Sequence, residues 1–209
     1  MKKLNHTVFI TTCLCLLPLF AALLLWDRMP DQVPMHWNAA GEIDGYGSKP
    51  LALLGLPCMM AGLNLFLHFM LDKDPKTDNM SRALKGISYW LLPALTILLM
   101  TITYLVSLGI PVRVEILVPL LVGVLFIAMG NYLPKCRQNY TMGIKTPWTL
   151  NSEENWARTH RLGGYCFILG GFLLMLGTLL NLWWLLFPVL LLTAIIPLVY
   201  SYLLFRKGI

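Results

Sequence analysis

Residues able to do chemistry are few in this chain, and they sit together. The richest segment is Pro134 to His160, PKCRQNYTMGIKTPWTLNSEENWARTH, which gathers charge, amides, two tryptophans and a histidine between two apolar runs. Its best acid/base set is His160 with Glu153 or Glu154. On one helix Glu153 and His160 are two turns apart, about 10 Å, which is too far for a direct hydrogen bond. No nucleophile, base and orienting group can be read together, so these residues point to binding and the chain is not expected to be an enzyme. Trp156 and His160, four apart, share a helix face. A second cluster lies in Asp27–Lys49, where His36-Trp37 joins an aromatic ring to a hydrogen-bonding one. Asn38, Glu42 and Asp44 follow there without the spacing of a calcium loop. Asn64 and His68, also four apart, read as an interhelical hydrogen-bonding pair in preference to a ligand contact. Cys13, Cys15, Cys58, Cys136 and Cys166 form no CxxC pair and no Cys–His metal spacing, and they read as small buried hydrophobes. Neither a metal nor a cofactor is expected.

The elements that hold these residues follow from composition. The chain is 57% hydrophobic and 12% charged, with a mean hydropathy of +0.68, where soluble domains average about 25% charged residues. A membrane-crossing helix needs about 20 mostly apolar residues. Six stretches qualify: Thr7–Trp26, Pro50–Leu71, Ile87–Gly109, Val114–Leu133, Arg161–Leu180 and Leu182–Leu204. The charge-free run from Leu162 to Leu204 would be about 65 Å long as one helix, so it must turn back, and Asn181 is the natural tip. Closed strands can also span a membrane, but period-2 alternation is missing. The expected fold is therefore all-α, a polytopic membrane protein of six transmembrane helices. The first run exceeds the 7–15 apolar residues of a signal peptide and ends in Trp26-Asp27-Arg28, so it reads as a retained helix. Pro57, Pro93, Pro119, Pro188 and Pro197 predict kinks. Gly163, Gly170 and Gly177, with Gly164 and Gly171 beside them, form a small-residue stripe that packs helices closely, within the bundle or across a homodimer.

Lysine and arginine set the orientation. If the N-terminus is cytoplasmic, only Arg28, Lys49 and Arg113 of the 16 basic residues fall outside. The positive-inside rule then places both termini, the inner loop 72–86 and the loop 134–160 in the cytoplasm, and the loop 27–49 outside. This asymmetry accounts for the net charge of +6 without nucleic-acid binding. No Asp, Glu, Lys or Arg lies near the centre of a span, which argues against a proton-coupled pump. A GxxxxGK[ST] nucleotide loop is also missing.

Both loops carry local signals. Pro30 and Pro34 stiffen the outer one, and Gly41, Gly45 and Gly47 allow tight turns, so a compact cap hugging the interface is expected. In the inner loop Asn131 closes the fourth span, Pro134 stops it and Gly143 permits a turn. Pro147-Trp148 predicts an extended corner, and Asn151 with Glu154 predicts a capping box. Trp148 and Trp156 are expected at headgroup level.

Asn131 after Gly130, then QNYTMGIKTPWTLNSEENWARTHRLGG at 138–164, resembles the signature of the SdpI family of bacterial multi-span membrane proteins. The segment MPDQVPMHWNAAGEIDGYGSK at 29–49 resembles the small N-terminal module, of unassigned function, often found before that region. The resemblance divides the chain into an N-terminal module, 1–86, and an SdpI-like region, 87–209. It implies a bacterial cell-membrane protein giving immunity to a secreted membrane-active peptide toxin. It further implies signalling by holding a transcriptional repressor at the membrane. The implied partners are thus membrane lipid, a peptide toxin and a repressor. The motif positions carried over are Asn131, Asn139, Gly143, Lys145, Pro147, Trp148, Thr149, Trp156, Thr159, His160 and Arg161, without individual roles. Pro30, Pro34, His36, Trp37, Gly41 and Gly45 are the outer-loop candidates. Two other readings stay open: a transporter of a small peptide or lipid not driven by ATP, and a membrane enzyme at the cytoplasmic face. The charge asymmetry predicts that Tyr140→Cys, in a background lacking the native cysteines, is labelled by an impermeant thiol reagent only from the cytoplasm. Labelling in intact cells would overturn this orientation.

Overall fold

Hydrocarbon offers no partner to backbone N–H and C=O groups, so long apolar runs fold into helices that satisfy them internally. The structure, a computed structural model describing residues 6–38, 40–80 and 82–209, shows this directly. Among the described residues, six helical segments are long and apolar enough to cross a membrane: His6–Leu24, Leu51–Lys73, Leu84–Ser107, Val114–Lys135, Glu153–Leu179 and Trp183–Arg206. Their elements are α1 (His6–Leu16) and α2 (Pro18–Leu24), strands β1 (Gln32–Trp37) and β2 (Ile43–Ser48), α3 (Leu56–Lys73), α4 (Arg82–Ser107), α5 (Val114–Tyr132), α6 (Pro147–Asn151), α7 (Glu153–Leu179), α8 (Leu186–Leu190) and α9 (Ile196–Arg206). The fifth span begins at Glu153, well before the boundary expected at Arg161.

Proline explains most of the irregularity. It has no N–H, and its ring crowds the carbonyl four residues back. A wide π-type turn absorbs both defects, and such turns, Leu51–Gly55 and Leu191–Ile195, precede Pro57 and Pro197. Pro18 divides the first span into α1 and α2, and Pro93 and Pro119 lie inside α4 and α5. Asn181 adopts a left-handed φ of 57° and returns the chain after α7, as its place in the long apolar run predicts.

The chain packs as two units, Met1–Asp72 with Lys85–Val114, and Lys73–Leu84 with Glu115–Ile209. This grouping by packing puts the third span with the first two and so runs differently from the sequence-module boundary at 86/87. In the first unit the core is Ala22, Met29, Val33, Ala52, Leu53, Met100 and Tyr104. The Tyr104 hydroxyl donates to the Pro18 carbonyl (2.8 Å) at the break between α1 and α2. The loop 27–49 is more regular than its prolines and glycines suggest. Strands β1 and β2 form an antiparallel hairpin, with Val33 opposite Gly47 and Pro34 opposite Tyr46. Val33 and Pro34 are buried, and the hairpin adds to an otherwise all-α fold.

In the second unit, glycine sets the spacing of α5 and α7. A Cβ on Gly171 would lie 2.5 Å from the Gly123 carbonyl oxygen, and one on Gly164 would lie 2.7 Å from that of Gly130. The reciprocal positions on α5 are as tight, 2.9 and 2.6 Å. The two backbones therefore touch, as membrane helices do at paired small residues. The pairs advance along α5 as they retreat along α7, so the helices are antiparallel. Gly163, Gly170 and Gly177 pack against this chain's own residues: Ile144 and Leu133, Thr193 and Val189, and Leu185. Gly171→Ala should lower the temperature of unfolding in detergent, at a cost of about 1–3 kcal/mol for overpacking. Gly62→Ala, whose new methyl meets nothing within 4 Å, should not. Size-exclusion of heated samples checks both, and equal loss would remove the glycine pairs as the cause.

Candidate functional site

The segment between α5 and α7 closes on α7 through one imidazole. His160 is fully buried and stacks on Trp156 with ring centroids 4.0 Å apart, as their shared helix face predicts. Its Nδ1 lies 2.8 Å from the Trp156 carbonyl oxygen, and its Nε2 lies 3.0 Å from the Ile144 amide. A carbonyl needs a donor and an amide needs an acceptor, so the network assigns the neutral Nδ1–H tautomer. Gly143 lies over the pair. Its φ is 116°, and a Cβ there would meet His160 Nε2 at 2.4 Å and the Trp156 ring at 3.0 Å. Backbone conformation and space both require glycine. The Trp156 indole donates to the Cys136 carbonyl (2.7 Å), which fixes the other end of the segment.

The amides do the same work locally. Asn139, fully buried, accepts at Oδ1 from the amides of Thr141 (3.0 Å) and Met142 (2.7 Å). Its Nδ2 donates to the Arg137 carbonyl at 2.9 Å. Gln138 donates to the carbonyls of Thr149 and Leu150, at 2.9 and 2.8 Å. The connector between α3 and α4 docks on this segment. Lys76 Nζ donates to Gln138 Oε1, and Asn79 donates to the Gln138 carbonyl at 2.9 Å. Asp74 accepts from the Thr141 hydroxyl (2.7 Å) and from the amides of Lys76 (2.8 Å) and Tyr140 (2.9 Å). Burial pushes the Asp74 carboxyl up, but these hydrogen bonds outweigh it and hold the group below its ordinary value. Burial likewise pushes the Cys136 thiol up, against the Asn139 amide. That keeps the thiol protonated and inert.

Two corners differ from expectation. Pro147 starts the short helix α6 where an extended corner was expected. Thr146 caps α6, and Thr146 and Thr149 bond each other's backbone reciprocally. Proline suits this first position because its missing N–H would be unpaired anyway. Ser152, not Asn151, caps α7, accepting from the Asn155 amide at 3.1 Å; Asn151 is spent ending α6. Trp156, packed under Gly143, is 2% exposed, so its ring meets protein on all sides. Trp148 is half-buried: its indole donates to Ser201 Oγ (2.7 Å), and its ring stacks on Phe205. Asn155 adds donations to the carbonyls of Ser201 and Ile209 and accepts from Thr159. These bonds tie α7 to α9.

Of the motif positions, Asn139, Gly143, Trp148, Thr149, Trp156, Thr159 and His160 thus converge in one packed network. Lys145 is exposed and donates to the carbonyls of Tyr140 and Thr141. Pro147, Asn131 and Arg161 are exposed. Residues 135–201, which contain most of this network, match the SdpI/YfhL protein family. Residues 13–61 match a domain of unknown function, DUF1648.

The region 135–201 is an SdpI/YfhL family region.

A relative in that family is "Immunity protein SdpI" of Bacillus subtilis (strain 168), 28% identical over 174 residues, which are 83% of this chain and 80% of that one. No solved structure matches. With six candidate spans, this is a bacterial multi-pass membrane protein.

In the DUF1648 region the hairpin orders the outer-loop candidates. His36 Nδ1 lies 2.5 Å from Asp44 Oδ1. Asn38 Oδ1 caps the turn by accepting from the amides of Ala40 and Glu42, and Gly41 holds the tip at φ 79°. Gly45 faces His36, Trp37 is half-buried, Pro34 is buried and Pro30 is exposed. Asn64 donates to Thr11 (3.2 Å) and Thr12 (3.0 Å), the interhelical bond its place in a span predicts. Among the described residues its Oδ1 and His68 Nε2 have no partner.

Sequence reasoning missed Asp74, Gln138 and Ser201. Asp74 and Ser201 sit far along the chain from what they bind. Gln138 was quoted within the motif, yet nothing in its type marked it as a hub.

His160→Ala should cost about 1–3 kcal/mol by leaving the Ile144 N–H unpaired, and Trp148→Ala should cut the bond to Ser201. Both should impair family function more than Leu190→Ala, whose side chain is exposed. Function at matched expression is the measurement, and equal loss at all three sites would sink the network's special role.

Proposed function

We propose that this chain is an immunity protein protecting the bacterial cell that carries it from a secreted, membrane-active peptide toxin. The observation that carries the proposal is the similarity to Immunity protein SdpI over 83% of this chain and 80% of that one. The family-matched region builds a folded network where a catalytic set would need free groups. His160, the best acid/base candidate, has both ring nitrogens bonded within the chain, which supports binding and not catalysis.

The finer reading joins this to the charge asymmetry. With both termini inside, the hairpin of the N-terminal module, 1–86, faces out and offers His36 and Trp37 as first contact for toxin. The SdpI-like region, 87–209, then turns its 134–160 segment to the cytoplasm, where it serves as a platform for a repressor. The docking of Asp74, Lys76 and Asn79 on residues 138–141 supports a segment held in one shape, as a platform needs to be.

Expression in a toxin-sensitive bacterium tests the proposal, with lysis scored against a panel of secreted membrane-active peptides that includes SDP-type toxin. Survival at a dose that lyses vector-only cells is expected for at least one peptide. Lysis by every member, with the protein confirmed in the membrane, would overturn it.

A further inference from the structure

Asn131 and Arg161 stand apart from the other motif residues. Both are exposed, and among the described residues neither side chain makes a hydrogen bond or ion pair with this chain. Yet they share one place. Asn131 follows Gly130 by one residue, and Arg161 precedes Gly164 by three, while Gly130 and Gly164 are in backbone contact. In antiparallel right-handed helices of about 3.6 residues per turn, these offsets turn both side chains to the same flank of the contact line. Their levels along the pair differ by about two residues, or roughly 3 Å.

The two flanks are unlike. The opposite flank is filled by Phe126 against Phe167, centroids 5.1 Å apart, and by the sixth span against Gly163 and Gly170. The flank of Asn131 and Arg161 is open, and it continues away from the helix ends as an apolar stripe. Val124 on α5, with Tyr165 and Phe172 on α7, are 52%, 66% and 57% exposed. The carboxylate on the preceding turns, Glu154, is paired with Arg158 at 2.6 Å, and among the described residues Arg161 has no ion-pair partner.

We propose that Asn131 and Arg161 bind the phosphate of an anionic phospholipid, whose acyl chains lie along Val124, Tyr165 and Phe172. A guanidinium donates two parallel hydrogen bonds to a phosphate, and the Asn131 amide supplies a third donor. The apolar stripe below selects a lipid over a soluble phosphate. The paired glycines keep the helices close enough for one headgroup to reach both residues. This site is independent of the toxin reading.

Native mass spectrometry of the purified full chain, with phosphatidylglycerol or phosphatidylcholine added, tests it. Phosphatidylglycerol should be retained in preference. Arg161→Gln should weaken it roughly fivefold, the effect of one basic side chain at an anionic surface. Asn131→Leu, which changes no charge, should weaken it roughly threefold, one hydrogen bond's worth. Arg206→Gln, an exposed cation at the end of α9, should leave the preference unchanged. Should Arg161→Gln run as an aggregate, Arg161→Lys replaces it, with a smaller loss expected. Equal retention of the two lipids would overturn the site. So would an unchanged Asn131→Leu, or an Arg206→Gln loss as large as that of Arg161→Gln, because general charge attraction would then suffice.

Discussion

The neutral imidazole of His160 is the joint on which the family-matched region is folded. One ring nitrogen must donate to the Trp156 carbonyl and the other must accept from the Ile144 amide. Only one tautomer does both, and it does so away from water, where an unpaired group is costly. Gly143 lies against one side of the ring and Trp156 stacks on it. From this joint the chain runs through Thr146 and Thr149 into α6. The Trp148 and Asn155 bonds then carry the same rigidity into α9.

A second constraint acts below it. The helices α5 and α7 can carry the joint only if they stay in register, and two glycine pairs a heptad apart bring their backbones into contact. In hydrocarbon there is little hydrophobic drive between helices, so close packing of small residues supplies the attraction. One consequence is that the α5 and α7 backbones meet at the end where the joint lies. The flank facing the sixth span is filled, and the other carries Asn131 and Arg161.

The motif therefore separates into two kinds of residue. Asn139, Thr149, Trp156, Thr159 and His160 turn inward and satisfy one another or the backbone. A polar network so fully bonded specifies a shape, and within it both His160 ring nitrogens and the Asp74 carboxylate are bonded to the chain. Asn131 and Arg161 are exposed, and among the described residues neither side chain bonds to the chain. A protein that binds needs a rigid frame and a few exposed groups, and this division supplies both.

How much of this could be read from the residues varies with the range of the interaction. The six spans were legible because length and apolarity suffice when every backbone group must bond within its own helix. Asn181 as a turn, Gly143 as a special backbone position, and Trp156 beside His160 were legible because each depends on neighbours within a few residues. The hairpin at 32–48 was not, because its prolines and glycines hide a pairing that only cross-strand contacts establish. The Ser152 cap was missed by one residue, and a helix starts at Pro147 in place of an extended corner, since several polar residues there compete for the same amides. What the sequence by itself determined is the class, the spans and the family, all carried by local composition and spacing. Only the tertiary structure decided that Asp74 and Gln138 meet, that Trp156 is buried, and that Asn131 and Arg161 share a face. Those facts rest on contacts between residues far apart in the chain, where packing and not propensity selects the partner.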